Sequence, residues 1–222
     1  MTSERQHPLF DPDRDVVTDA ASLQALAHPI RIHLLGLLRR HGPSTASKLA
    51  AELGISSGLS SYHLRQLAGA GHIVDHPTAA GGRERWWRAS QRSTIVLAPP
   101  ATDPDAAAAT TEYLDAVLVA NFDNAHRWLR AAERWPQPWR QASDLSDLLL
   151  RLTVDQAEAL RTEIASVIAR YQRHDPDQPS GADGARLVHV QYQLFPAPDQ
   201  DPSSDAGSGP DGAAPDRSPD VP

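Results

Sequence analysis

The feature that most constrains the fold is a glycine that separates two segments with the spacing of helices. An apolar stripe that ends at Leu53 is followed by Gly54, which stands where a helix commonly ends on a left-handed residue. Ser56 or Ser57 can then cap a further helix that continues to about Ala68. A helix, a tight turn containing glycine and a second helix make the helix-turn-helix layout. The sequence therefore predicts a helix-turn-helix motif around Gly54.

Two more helical segments precede this motif. Apolar residues within 23–27 predict a short first helix that ends near the His-Pro pair at 28–29. Apolar residues then recur at helical spacing over residues 30–38, and the Gly-Pro pair at 42–43 ends this second helix. Together with the pair around Gly54, the segment predicts four helices.

The fourth helix has two chemically different faces. Leu64 and Leu67 lie within about 40° of Ser60, so this stripe should face the core. Small hydroxyl side chains, a tyrosine and an arginine occupy the opposite side, and such groups contact phosphates and base edges in a major groove. That side carries Gly58, Ser61, Tyr62 and Arg65. An ordinary polar surface helix can carry the same residues, so this helix alone leaves both interpretations open.

A hairpin is predicted directly after the fourth helix. Residues 72–76 have the composition of a strand, residues 79–82 that of a turn, and residues 83–88 alternate as a second strand. A hairpin that follows a recognition helix and carries arginine near its tip is a wing. Arg83 and Arg85 are placed to reach a minor groove or the flanking phosphates. The predicted DNA contacts are Lys48, Ser57, Gly58, Ser61, Tyr62, Arg65, Arg83 and Arg85.

The distribution of charge favours a polyanionic partner, although the formal net charge of the chain is −7. Residues 20–92 hold nine Arg or Lys side chains against three acids, a net charge of +6 that leaves −13 for the remainder. Such segregation marks one face for double-stranded DNA. A winged helix that contacts a protein partner is the alternative, but a protein interface does not need nine cations. No G-x-S-x-G, P-loop, G-x-G-x-x-G or H-E-x-x-H motif occurs, so an enzyme is not expected.

Three stretches carry a resemblance to a known family. Residues 23–35 read LQALAHPIRIHLL, residues 61–71 read SYHLRQLAGAG, and residues 82–88 read GRERWWR. In this order they resemble the opening, the recognition helix and the wing of the ArsR-type (arsenic-repressor) winged-helix family. The resemblance covers about a third of the chain. It implies a winged helix-turn-helix that binds a two-fold-related operator as a homodimer, usually as a repressor relieved by a signal.

One departure from that family concerns metals. Its metal-sensing members rely largely on cysteine ligands, and this chain contains no cysteine. The resemblance gives His63 the place of a structural histidine, so we expect a buried, hydrogen-bonded role rather than metal ligation. Asp123 and His126 lie three residues apart on a later predicted helix, but two such ligands are a weak signal and solvated polar residues are more common. No metal or cofactor is therefore predicted.

A long helix is predicted over residues 105–134, where a broad apolar stripe would extend for roughly 45 Å. Because a two-fold operator demands a two-fold protein, this helix suits a dimer interface, with packing inside its own chain as the alternative. The predicted interface residues are Leu114, Val117, Leu118, Phe122 and Leu129.

The residues after this helix predict a small accessory unit. A short strand or helix near residues 145–152, a helix that begins in the capping box of residues 153–156, and an alternating strand over residues 186–195 indicate a β-α-β arrangement. This unit would complete the dimer or form a pocket for a small-molecule effector. Such a pocket would lie near Trp128, Trp135 and Trp139, although tryptophans of this kind are more often core residues.

The predicted fold class is therefore mainly α with small β. It comprises a winged helix-turn-helix over residues 19–98, a long dimerisation helix over 105–135 and the accessory unit over 140–195. Residues 1–18 and the acidic residues 196–222 are predicted to be disordered because they contain little to bury. The polar N-terminus does not resemble a signal peptide, and no run of about 18 apolar residues occurs, so we expect a cytoplasmic protein without a membrane segment.

Overall fold

The computed structural model describes residues 15–17, 20–77, 84–95, 103–171, 174–177 and 184–199. The chain divides into two compact units, residues 1–191 and residues 192–222. The described residues of the second unit, 192–199, form neither helix nor strand. All of the elements lie in the first unit. In chain order they are β1 (Asp15–Val17), α1 (Ala20–Leu26), α2 (Pro29–His41), β2 (Ser44–Thr45), α3 (Ala46–Leu53), α4 (Ser57–Gly69), β3 (Ile73–Asp75), β4 (Trp86–Ala89), β5 (Ser93–Ile95), α5 (Pro104–Ala131), a 3₁₀ turn (Ala132–Arg134), α6 (Gln137–Gln141) and α7 (Val154–Ala169).

The turn between α3 and α4 has the geometry that the sequence predicts. Thr45 Oγ1 accepts a hydrogen bond from the Lys48 N–H, which caps the start of α3. Gly54 ends α3 at a φ of 67°, in the left-handed region that favours glycine. Ser56 then caps α4 by accepting from the Leu59 N–H at 3.2 Å. The helix-turn-helix motif is confirmed, and local caps at both helices fix its turn.

The helices before the motif begin and end close to the predicted residues. α1 ends at Leu26, close to the His-Pro pair as predicted, and the same pair also starts α2. His28 Nδ1 accepts a hydrogen bond from the Ile30 N–H at 3.1 Å, and Pro29 occupies the first turn, where a missing N–H costs nothing. Gly42 ends α2 as predicted, at a φ of 78°. The imidazole therefore acts here as a helix cap.

A single leucine-rich core holds these helices together. α1, α2, α3, α4 and the small sheet all contribute to it, and α5 adds Ala109 and Tyr113 from its buried face. Leu26, Leu34 and Leu64 are completely buried. The remaining fully or nearly buried members are Leu23, Leu35, Leu37, Leu38, Leu49, Leu67, Ile73 and Trp87. The long helix is thus packed onto the helix-turn-helix core along one side.

The wing belongs to a three-stranded antiparallel sheet in the order β2-β4-β3. Thr45 pairs with Trp86, and Ile73 pairs with Ala89. The predicted hairpin is confirmed in type, but its second strand begins at Trp86 rather than at residue 83. Trp87 is buried and Trp86 half-buried, as expected of two neighbouring residues on a strand with one covered face. The hairpin turn, residues 78–83, and with it Arg83, lies outside the described residues.

A second small sheet corrects one prediction at the N-terminus. β1 pairs in parallel with β5, with Asp15 opposite Ser93 and Val17 opposite Ile95. The expectation of disorder over residues 1–18 is therefore wrong for residues 15–17, because a strand that follows the wing offers them backbone hydrogen bonds. Residues 1–14 and 18, like the tail beyond residue 199, lie outside the described part of the chain.

The long helix is confirmed, whereas the accessory β-α-β unit is not. α7 begins in the predicted capping box, in which the Gln156 N–H donates to Thr153 Oγ1 at 3.3 Å and the Thr153 N–H donates to Gln156 Oε1 at 2.9 Å. Residues 143–153 and 185–197 form neither helix nor strand. An alternating apolar pattern becomes a strand only when a neighbouring strand pairs with its backbone, and no described part of this chain does so. No helix in the described ranges is long and apolar enough to cross a membrane.

Candidate nucleic-acid interface

Helix α4 divides into the two faces that its sequence predicts. Ser60, Leu64 and Leu67 are completely buried, and they anchor the helix on the core. The opposite face is open to solvent. Tyr62 exposes 52% of its surface, and Ser57, Gly58 and Arg65 are exposed beside it, with Ser61 half-buried. The structure therefore brings together all five residues that were predicted for this helix.

Arg65 and the start of α4 are chemically available. Arg65 makes no hydrogen bond or ion pair with the residues that the structure describes. At the helix start, a Cβ placed on Gly58 meets no atom within 4 Å, so the backbone there is unobstructed. Backbone N–H groups at a helix N-terminus attract phosphate. The face thus offers an arginine for base edges and a helix start for the sugar-phosphate backbone.

Sequence reasoning missed one residue on this face. Gln66 is exposed next to Arg65, and its amide can donate to and accept from an adenine edge in a bidentate contact. The helical spacing that selected Tyr62 and Arg65 places Gln66 on the border of the same face. A wider sector of the helix would have included it.

The wing is fastened to α3 and within itself by cation contacts. Lys48 Nζ lies 4.5 Å from the centroid of the Trp86 ring, and the Ser47 hydroxyl lies 3.2 Å from a Glu84 carboxylate oxygen. Arg85 Nε donates to Asp75 Oδ2 at 2.8 Å, and its guanidinium stands over the Trp87 ring at 4.1 Å. Both Lys48 and Arg85 remain exposed. These two predicted contacts are therefore held in place by aromatic rings, at the junction of the wing and the helices.

A partly buried cluster of cationic and titratable groups lies next to the exposed face of α4. The rings of His28 and His63 are 4.5 Å apart, and the ring of Tyr62 packs edge-on against His63 at 5.1 Å. Burial lowers the pKa of both histidines below the ordinary value, and the charge of Arg31 lowers it further in each. His63 is buried as the resemblance implies, but its Nδ1 has no hydrogen-bond partner among the described residues. The cluster favours neutral imidazoles under the surface that carries Tyr62.

Not every cation of residues 20–92 lies on this surface. Arg39 donates from Nε to the Gln91 carbonyl oxygen and from a terminal nitrogen to Thr94 Oγ1, both at 3.0 Å. Arg92 forms an ion pair with Asp175, and both side chains are largely buried. That hydrogen bond lowers the pKa of Asp175. Arg39 and Arg92 thus hold parts of the chain together away from this surface, so the excess positive charge overstates the charge that is available to a polyanion.

Helix α5 has one face on the core and one in solvent. Ala109, Tyr113, Ala116 and Ala120 are buried. Four of the five predicted interface residues form the exposed stripe, called here the α5 stripe: Leu114, Leu118, Phe122 and Leu129. Val117 is half-buried and packs against the core of its own chain. Less of its side chain is therefore open to a partner, and the interface itself stays a prediction.

Two other predictions about this region can be placed in the structure. Asp123 Oδ2 lies 3.2 Å from His33 Nε2, so this carboxylate ties α5 to α2. The rings of Trp135 and Trp139 meet edge to face at 6.4 Å, and Trp128 is half-buried. An effector pocket near the tryptophans stays a prediction.

Comparison with known proteins supports the motif. Residues 26–73 match a family described as helix-turn-helix domain, a range that contains α2, α3 and α4 and ends at the start of the wing. The chain therefore contains a helix-turn-helix domain, the kind of domain with which transcription regulators bind DNA. A solved structure of a Lactococcus lactis ZitR mutant in apo form is 16% identical over 65% of this chain and 82% of that chain, with a TM-score of 0.26. No curated protein matches the chain.

Proposed function

We propose that this chain is a transcription regulator that binds a specific double-stranded DNA sequence as a homodimer and represses transcription there. The observation that carries the proposal is the open face of α4. Its exposed Tyr62 and Arg65 stand on a helix that is capped at its start and anchored on the core. The Arg65 guanidinium has five N–H donors and no partner among the described residues, which suits it to a guanine edge.

The wing supports the same function by adding contacts at the edge of the recognition helix. Lys48 and Arg85 hold their cationic groups against tryptophan rings and leave them exposed. Fixed cations at such positions favour phosphate contacts, which set the register of a protein on the duplex without reading its sequence. In this proposal Arg65 reads a base edge, whereas Lys48 on α3 and Arg85 on the wing position the protein on the duplex.

The homodimer in this proposal is matched to an operator with two-fold symmetry. Two copies of α4 reach successive major grooves only if the two protomers are related by a two-fold axis that matches the operator. The α5 stripe is the apolar surface that we assign to this contact. Phe122 is 68% exposed in the single chain, and Leu114, Leu118 and Leu129 are about half exposed. In this proposal the chain is a binding protein and not an enzyme, and it needs no cofactor.

The decisive experiment is selection of bound fragments from the genome of the source organism, followed by anisotropy titrations of the recovered site. If a dimer contacts six to ten phosphates, the affinity should fall by roughly 10³ to 10⁵ between 50 and 200 mM salt. Repression is then measured by transcription in vitro from the adjoining promoter. A chain that enriches no fragment and forms a salt-insensitive complex with a protein would instead be a protein-binding winged helix.

A further inference from the structure

The two most exposed apolar side chains among the described residues lie together in a short segment between α6 and α7. This leucine segment, residues 145–152, reads LSDLLLRL. Leu149 is 88% exposed and Leu148 77%, and the segment's other three leucines are 40–61% exposed. Scattered surface leucines are normal, but five within eight residues make a continuous patch, and such a patch marks an interaction site.

The backbone of the leucine segment is also unpaired within the described part of the chain. The segment forms neither helix nor strand, and within the described residues no backbone hydrogen bond joins residues 144–152 to another part of the chain. Exposed, unpaired N–H and C=O groups next to a row of leucines can pair with a strand of another chain. The segment is therefore available for strand pairing.

The order of leucines and charges in the segment suits pairing with the same segment of a second copy of the chain. In an antiparallel pair centred on Leu149, each Leu148 stands opposite a Leu150 of the second copy. In the same register each Asp147 stands opposite an Arg151, so the two-fold axis generates two pairs of opposite charge. Shifting the strands by one residue in either direction sets a charged residue against a serine or a leucine. Asp147 and Arg151 are exposed and form no ion pair with the described residues of their own chain.

We propose that the leucine segment pairs with the same segment of a second copy to form a two-stranded antiparallel ribbon centred on Leu149. This inference deepens the homodimer of the proposed function, because an isolated two-stranded ribbon is marginally stable and needs a further contact. The α5 stripe supplies that contact. Together the two surfaces carry nine large apolar side chains that are each 40–88% exposed, and a stable interface buries roughly 800 Å² on each partner.

A cysteine scan tests the register directly, because the natural chain has no cysteine. Opposed residues of an antiparallel pair have Cα atoms about 4.5–5.5 Å apart, within the range that a disulfide spans. Under mild oxidation Leu149→Cys should therefore cross-link to dimers. Leu145→Cys is the matched control, since in this register the two copies of residue 145 lie roughly 26 Å apart. Cross-linking of both variants would indicate parallel pairing or aggregation and would overturn the proposal.

Charge reversal tests the pairing of Asp147 with Arg151. Asp147→Arg and Arg151→Asp each place like charges opposite each other, and each should raise the Kd of the homodimer about tenfold or more in sedimentation experiments. A mixture of the two single variants restores both attractive pairs in the heterodimer, and the double variant restores them in the homodimer. If neither the mixture nor the double variant recovers the affinity, the register is wrong.

The outcomes separate this inference from the function on which it rests. A chain that dimerises and binds its operator, but shows no cross-link at Leu149, retains the proposed function and loses the ribbon. A chain that stays monomeric at all concentrations and on DNA loses both. Leu118→Asp on the α5 stripe serves as a second control, because it should weaken the dimer without changing its response to charge exchange between Asp147 and Arg151.

Discussion

Leucine side chains are buried in the helix-turn-helix region but exposed in the segment that precedes α7. Leu34, Leu38 and Leu64 are at most 1% exposed, whereas Leu148 and Leu149 are almost entirely open to solvent. In the first region the apolar stripes of the helices meet in one core, and side chains cap the starts of α2, α3 and α4. In the second region the apolar rows have no counterpart in the described part of the chain. The first region is thus complete as a monomer, and the second carries surface for a partner.

Truncating a leucine in each region tests this contrast most directly, and we expect it to give the largest change in the free energy of unfolding. Leu38→Ala should lower the free energy of unfolding by about 2–5 kcal/mol, because it removes buried methylene groups and leaves a cavity. Leu149→Ala is the matched control, and at concentrations where the chain is monomeric it should change stability by less than about 0.5 kcal/mol. Urea denaturation followed by circular dichroism measures both. Equal losses in the two variants would mean that the leucine segment is packed inside its own chain.

The open face of α4 predicts the next largest effect. Arg65→Ala should weaken binding to the operator by about 1–3 kcal/mol and binding to random DNA much less, because a bidentate contact to a base is lost. Arg65→Lys should recover little, since lysine keeps the charge without the fork. Arg83→Ala, by contrast, should weaken binding to both DNAs similarly. Anisotropy titrations on the two DNAs measure these differences. If Arg65→Ala and Arg83→Ala lower the affinity for both DNAs to the same extent, the assignment of Arg65 to a base and Arg83 to a phosphate is wrong.

The same contrast explains what could be predicted from the sequence. Gly54, Ser56 and the capping box at Thr153 act through neighbours within four residues, so their roles follow from spacing alone. Strand pairing depends on segments that are tens of residues apart, so local patterns do not predict it. Examples are the pairing of β1 with β5 and of Ser44–Thr45 with β4. Residues 186–195 alternate like a strand, but an alternating pattern is only one of the two requirements for forming a strand. The second requirement is a neighbouring backbone with which the segment can form hydrogen bonds, and the sequence does not reveal it.

The candidate site divides along the same line. Helical spacing alone selected Tyr62 and Arg65, because exposure on an amphipathic helix follows from its period. The ring contact between His28 and His63, and the position of Arg31 beside it, join residues of two helices and needed the structure. The contact of Lys48 with Trp86 is of this kind too. Which cations are used inside the chain, such as Arg92, also follows only from the fold.

The buried histidines predict a smaller, pH-dependent effect on stability. Burial, reinforced by the charge of Arg31, holds the folded-state pKa of His28 and His63 below the ordinary value. The unfolded chain therefore takes up protons first on acidification. Stability should be full above about pH 6.5 and should decline as the pH falls below that value. Urea midpoints between pH 7.5 and 5 measure the decline, which His63→Phe should reduce. An unchanged midpoint across this range would indicate that the histidines are not desolvated.

The smallest expected effect concerns Gly58, at the exposed start of α4. A Cβ at this position meets no atom within 4 Å in the protein, so Gly58→Ala should not disturb the fold and should stabilise it by up to about 1 kcal/mol. If phosphate approaches the backbone at the helix start, the same methyl group lies in its path, and operator affinity should fall although stability rises. Ala51→Gly, the reverse exchange at an exposed position on α3, is the control: it should change stability without changing operator affinity. A gain in stability without a loss of affinity would assign Gly58 to the protein surface alone and leave recognition to Tyr62 and Arg65.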